Sequence, residues 1–148
     1  MILPPGRYGY HDVEIGARII TATEEITEEL IDRFADVSGD RFDIHMSDSA
    51  ARASGFDRRV AHGLLVLSVV DGLKNQCPAQ FRAIASLGWD WTFEAPVLAG
   101  DSVSAEIELT SKRLTRDPER GILGLEFTVL NQDKSVVQSG RNKLMVHA

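Results

Sequence analysis

The stretch Gly63-Leu64-Leu65-Val66-Leu67-Ser68-Val69-Val70-Asp71-Gly72-Leu73-Lys74-Asn75 decides the fold. Leu64, Leu65, Val66, Leu67, Val69 and Val70 spread apolar groups nearly all round a helix, where a surface helix would show a single stripe. Such a helix must be enclosed by other elements. Pro78 stops any continuation, because it lacks a backbone N–H and its ring clashes with the preceding turn. The longest apolar stretch, Val60 to Val70, is interrupted by His62 and Gly63. It falls short of the about 20 residues that span a bilayer.

Beyond Pro78 the apolar period switches to two. Leu87, Trp89, Trp91 and Phe93 alternate with Gly88, Asp90 and Thr92. Val103, Ala105, Ile107 and Leu109 alternate with Ser104, Glu106 and Glu108, and Leu123, Leu125, Phe127 and Val129 with Gly124, Glu126 and Thr128. Val136 to Val146 reads as a last strand. Turn residues separate the runs at Ala99-Gly100-Asp101, Asp117-Pro118-Glu119 and Asn131-Gln132-Asp133. Alternation gives each strand one buried face. An antiparallel sheet curled around one apolar helix is the hotdog arrangement, of class α+β, with Trp89 and Trp91 expected on the inner face.

Upstream, residues 1–17 read as an irregular arm and Arg18 to Thr23 as a first strand. Thr27 is an N-cap, followed by Glu28 and Glu29 where the helix dipole favours negative charge. Leu30, Ile31, Phe34, Ala35 and Val37 continue at helical spacing, and Gly39 ends the helix as a left-handed cap. Residues 40–46 are expected to form a loop. Ser47 or Asp48 then caps a short Ala-rich helix ending at Gly55, and Phe56 to Val60 connect to the apolar helix. No repeat or linker-like tract interrupts the chain, so residues 1–148 are expected to form one domain.

Composition excludes several function classes. The 148 residues carry a formal net charge of −6. That opposes a nucleic-acid partner, since binding duplex DNA relies on clustered Lys and Arg. A small anionic ligand remains compatible, because salt screens a distant negative field beyond about 8–10 Å. Arg58-Arg59 and Lys112-Arg113 are local basic pairs. The single cysteine, Cys77, forms no internal disulfide, and no basic, then apolar leader opens the sequence. A cytoplasmic protein without membrane association is the expectation. His11, His45, His62 and His147 show no metal-ligand spacing with Cys77, and no Gly-rich phosphate loop follows a strand. Neither a metal nor a cofactor is expected.

The residues that carry chemistry lie in two segments, Phe34 to His45 and Val60 to Leu65. A helix ends at Gly39 and Asp40 follows at once. His45 comes five residues later. A carboxylate accepts a proton, and an imidazole can donate or accept one near neutral pH. His62-Gly63 opens the apolar helix, where unpaired backbone N–H groups can bind a developing oxyanion. Read singly, each residue has a plain structural use: Asp40 in a turn, His45 on the surface, His62 bonded to a nearby backbone group, Gly63 in tight helix–sheet packing.

Phe34-Ala35, Ser38-Gly39-Asp40, His45, Ala61-His62-Gly63-Leu64-Leu65 and Ser68 together resemble the signature of the MaoC-like, (R)-specific enoyl-CoA hydratase family. The resemblance covers about the central third of the chain. It implies reversible hydration of a trans-2-enoyl-CoA thioester to the (R)-3-hydroxyacyl-CoA. Asp40 and His45 match the catalytic pair, Gly63 the glycine whose backbone N–H polarises the thioester carbonyl, and Ser38 and His62 supporting positions. Phe42, Asp43 and Ser47 depart from the pattern, standing where Asn, Pro and Asp are usual.

The resemblance further implies a homodimer or higher homo-oligomer that acts on a thioester of CoA or of an acyl-carrier protein, with CoA present as part of the substrate. Arg58 and Arg59 are candidates for contacts to the CoA phosphates. Two other readings compete. An acyl-CoA thioesterase on this fold would place a carboxylate on the buried helix, which offers Asp71. A non-catalytic thioester-binding protein would keep the motif without turnover.

Overall fold

The computed structural model describes residues 1–148. In chain order it contains β1 (Gly6–Tyr8), a 3-10 turn (Tyr10–Asp12), β2 (Arg18–Ile20), β3 (Glu24–Glu25), α1 (Glu28–Ser38), α2 (Asp43–Met46), α3 (Asp48–Ala53) and α4 (Gly63–Asn75). Five strands follow: β4 (Ala79–Phe81), β5 (Ala83–Phe93), β6 (Ser102–Leu114), β7 (Arg120–Leu130) and β8 (Val136–His147).

The main sheet is antiparallel and runs β2-β6-β7-β8-β5, with β3 extending the pairing along β6. Its inner face follows the period-two pattern. Val103, Ala105, Ile107 and Leu109 are at most 1% exposed, and Leu123, Leu125, Phe127 and Val129 are fully buried. They form one core with Leu65, Val66 and Val70 of α4. Burying each such side chain contributes roughly 1.5–3 kcal/mol. This α+β sheet packed around a central helix is the hotdog arrangement. No helix is long and apolar enough to cross a membrane.

The caps lie where short polar side chains foretell them. Thr27 Oγ1 accepts the Leu30 N–H at 3.1 Å, and Gly39, at φ 77°, donates its N–H to the Ala35 carbonyl. Ser47 Oγ accepts the Ala50 N–H at 3.0 Å and so starts α3.

Four expectations need correction. The arm is not wholly irregular, since Gly6–Tyr8 pairs in parallel with Ala79–Phe81. Residues 40–46 are not simply a loop, because Asp43–Met46 closes a helical turn. Enclosure of α4 is one-sided: Leu65, Val66, Val70 and Leu73 are buried, but Leu64 is 60% exposed. Finally, Leu87 and Phe93 are exposed on β5, while Trp89 and Trp91 alone of that run pack on the core. β5 is an edge strand whose register with β8 shifts between Ser86 and Gly88. Both tryptophans meet Phe127 edge-on, with ring centroids 5.2 and 5.7 Å away.

Phe127→Ala removes the ring at the centre of this cluster and should lower the unfolding free energy by about 3–5 kcal/mol in urea titration. A loss below about 1 kcal/mol would show that the tryptophans do not depend on it.

Candidate active site

The end of α1 delivers Asp40. Ser38 Oγ donates to the Phe34 carbonyl at 2.7 Å and accepts the Asp40 N–H at 3.1 Å, which shapes the exit past Gly39. Asp40 Oδ1 accepts the Phe42 N–H at 3.1 Å. The carboxylate is thereby oriented with its second oxygen unengaged, and Asp40 is exposed. Phe42 caps the next turn, Asp43 opens it where the dipole favours an acid, and Ser47 caps α3. The three departures from the signature thus all occupy positions that build this turn.

α2 presents His45, which is 9% exposed. Its Nδ1 lies 2.7 Å from the Val60 carbonyl oxygen. A carbonyl can only accept, so Nδ1 carries the hydrogen and a neutral ring keeps its lone pair on Nε2. His62, 2% exposed, caps α4. Its Nε2 donates to the Asp40 carbonyl at 2.8 Å, while Nδ1 is buried without a partner. The two imidazoles stack with centroids 3.9 Å apart. Burial pushes the His62 pKa below the ordinary 6.5, opposed by its bond to the Asp40 carbonyl; His45 lowers it further. Burial thus favours the neutral form of His62, which bonds to the Asp40 carbonyl and stacks on His45.

Gly63 begins α4. Val66 N–H bonds back to the His62 carbonyl, so the amides of Gly63, Leu64 and Leu65 have no partner within the helix. A Cβ at Gly63 would fall 2.4 Å from the Phe93 ring, so a side chain there would require that exposed ring to move. Gln138 holds this end of the helix. It is 2% exposed, donates Nε2–H to the Gly63 carbonyl at 3.1 Å and accepts Trp91 Nε1–H at 2.8 Å. Sequence reading missed Gln138. Its signal was a polar side chain at an inward position of β8, on the face that carries Leu144 and Val146.

Asp40, His45, His62, Gly63, Phe93 and Gln138 line one cavity of about 510 Å³. A carboxylate oxygen of Asp40 and ring nitrogens of His45 and His62 all lie within 4.8 Å of one another. That spacing suits one water bonded to both Asp40 and His45. These are also the residues that could ligate a metal. Each imidazole already commits one nitrogen to a carbonyl, and the other nitrogen of His62 is buried.

Arg58 and Arg59 stand apart from this cavity. Arg59 is buried, donates Nε–H to the His45 carbonyl at 2.6 Å and pairs with Asp32. Arg58 donates to the Ala99 carbonyl and to Asp101 at 2.6 and 3.0 Å. The pair ties α1, α2 and the β5–β6 connection together, and neither side chain lines the cavity.

Residues 12–130 match the family described as MaoC like domain. The chain is 34% identical over 117 residues to Protein MaoC of Klebsiella aerogenes, which covers 78% of this chain and 34% of that protein. It is 30% identical over 142 residues to an (R)-specific enoyl-CoA hydratase of Rhodospirillum rubrum, covering 94% of this chain and 92% of that one. Among solved structures, a monoamine oxidase regulatory protein from Archaeoglobus fulgius superposes with a TM-score of 0.89 at 25% identity, over 98% of both chains. The chain spans about a third of the Klebsiella protein's length and less than two thirds of several other curated relatives.

The environment of His62 fixes a sign. Its folded pKa lies below its unfolded one, so the unfolded chain takes up the proton first as pH falls. Its contribution to stability is complete above about pH 6.5 and is lost between there and the depressed folded value. NMR titration should show the His62 ring protonating below 6.5, and His62→Gln should flatten the stability loss between pH 7 and 5. A His62 midpoint at or above 6.5 would contradict the assignment.

Proposed function

Because the chain belongs to the MaoC-like domain family, we propose that it reversibly adds water to a trans-2-enoyl thioester to give the (R)-3-hydroxyacyl product. Relatives named (R)-specific enoyl-CoA hydratase and 3-hydroxybutyryl-CoA dehydratase support a hydro-lyase. The observation that carries the reading is the cavity in which Asp40 and His45 converge beside the unpaired Gly63 amide.

One water bonds to the free oxygen of Asp40 and to His45 Nε2. The pair removes a proton as the water oxygen attacks C3, and the same pair returns a proton to C2. Atoms balance as one water added. Negative charge grows on the thioester oxygen, where the Gly63 N–H meets it; such a donor is typically worth roughly 10²–10³ in rate. Ser38 holds the Asp40 turn, and His62 packs behind His45. The scheme needs no metal or redox cofactor. The carrier is CoA or an acyl-carrier protein. The proposed assembly is a homodimer, supported by the open β5 edge with exposed Phe93 and by exposed Leu64 on α4. The thioesterase reading loses ground because Asp71 pairs with Lys74 and lies outside the cavity.

Incubation with crotonyl-CoA should bleach the conjugated-thioester absorbance and yield the (R)-alcohol. Asp40→Asn and His45→Ala should each lower kcat by at least ~10²-fold with the fold intact. Near-normal turnover in both would remove them from the mechanism. Gln138→Leu, which releases the Gly63 carbonyl, should lower kcat by about 10- to 100-fold; an unchanged kcat would leave Gln138 with a packing role alone.

A further inference from the structure

We propose that the outer face of the sheet holds a second site, for a phosphorylated nucleotide. A trough of about 510 Å³ lies across β5, β6, β7 and β8. The basic pair Lys112-Arg113 stands in its wall with Arg141 and Lys143, against one acid, Asp90. Four cations and one acid leave a local charge of +3 on a chain whose net charge is −6. Lys112 is committed, donating to the Tyr10 and Val13 carbonyls at 2.8 and 2.7 Å, and supplies field more than contact. Arg113 and Lys143 form no ion pair, and the one pair of Arg141, with Glu126, is long at 4.0 Å. A surface with 22 acidic residues normally supplies partners to its 16 basic ones. Three of the nine basic side chains that form no ion pair, Lys112, Arg113 and Lys143, meet in this one concavity.

The floor of the trough is bare backbone. Ser111, Gly124, Lys143 and Gly88 form one cross-strand row, so Lys143 has a glycine on either side. A Cβ at Gly124 would fall 2.1 Å from Ser111 Oγ, so a larger side chain there would have to displace that hydroxyl. A ligand can therefore approach the sheet closely under the ammonium and the two guanidinium groups. Arginine forks match phosphate oxygens, and Leu87 and Ile122 give an apolar wall for a planar base. Clustered cations, an apolar wall and this volume together select a nucleotide with phosphates over a simple anion or a fatty chain.

The trough and the catalytic cavity share two strands. Leu87 to Asp90 precede Phe93 on β5, and Arg141 and Lys143 follow Gln138 on β8. Separations of three to six residues correspond to about 10–20 Å along a strand. The nucleotide reaches the trough either as the end of a CoA thioester or as a free ligand; the first source rests on the hydratase reading, whereas the site itself does not.

Calorimetric titration with adenosine 3′,5′-bisphosphate tests the site without reference to activity. The protein should bind it, more weakly as salt rises. The double reversal Arg113→Glu with Lys143→Glu should weaken binding at least ~10-fold with an unchanged circular dichroism spectrum. Arg116→Glu, in the β6–β7 turn outside the trough, should leave the affinity as it was. No binding at millimolar bisphosphate, or equal affinity in the double variant, overturns the proposal. Kinetics then separate the sources. A raised KM for crotonyl-CoA with unchanged constants for crotonyl-pantetheine identifies the nucleotide of the substrate. Lost bisphosphate binding with both KM values unchanged identifies a free nucleotide.

Discussion

His45 donates Nδ1–H to the Val60 carbonyl, and His62 donates Nε2–H to the Asp40 carbonyl. These two bonds are the constraint on which the site depends. The first leaves the His45 lone pair on Nε2. The second holds the backbone of Asp40 against the start of α4. Stacked rings then keep the two histidines in register, and burial keeps His62 uncharged beside its neighbour. A charged His62 would be repelled by any positive charge on His45, so a neutral spacer suits the proposed role of its partner.

The sheet contributes rigidity. Trp91 and Gln138 connect β5 and β8 to the Gly63 carbonyl, and Arg59 connects α1 and α3 to the His45 carbonyl. The short segments that carry His45 and Gly63 are thereby tied to longer, buried elements. Preorganised donors and acceptors of this kind need little reorganisation when charge develops.

Much of the fold was legible because its signals are local. Alternating Val103 to Leu109 and Leu123 to Val129 determine the inner face of the sheet, and Thr27, Gly39 and Ser47 mark helix ends with their own side chains or backbone. Other features depend on distant partners. The β1–β4 pair joins segments of three residues more than seventy positions apart, too short for any period to register. The α2 turn spans four residues, and alternation in β5 could not reveal that it lies at an edge. Within the site, Asp40, His45 and Gly63 come together as their spacing suggested. Arg58 and Arg59 do not join them, because adjacency in sequence says nothing of the carboxylates and carbonyls that claim them. Gln138 was hidden in a strand whose alternation is weak.

The central claim is that one pair of groups, on one side of the substrate, both takes a proton from water and gives one to C2. Hydration of crotonyl-CoA in D₂O tests this most directly, by NMR assignment of the configuration at C2 and C3. Delivery from a single Asp40–His45 pair predicts syn addition, with deuterium at C2 and hydroxyl at C3 on the same face. Anti addition would require a proton donor on the opposite face and would contradict the account.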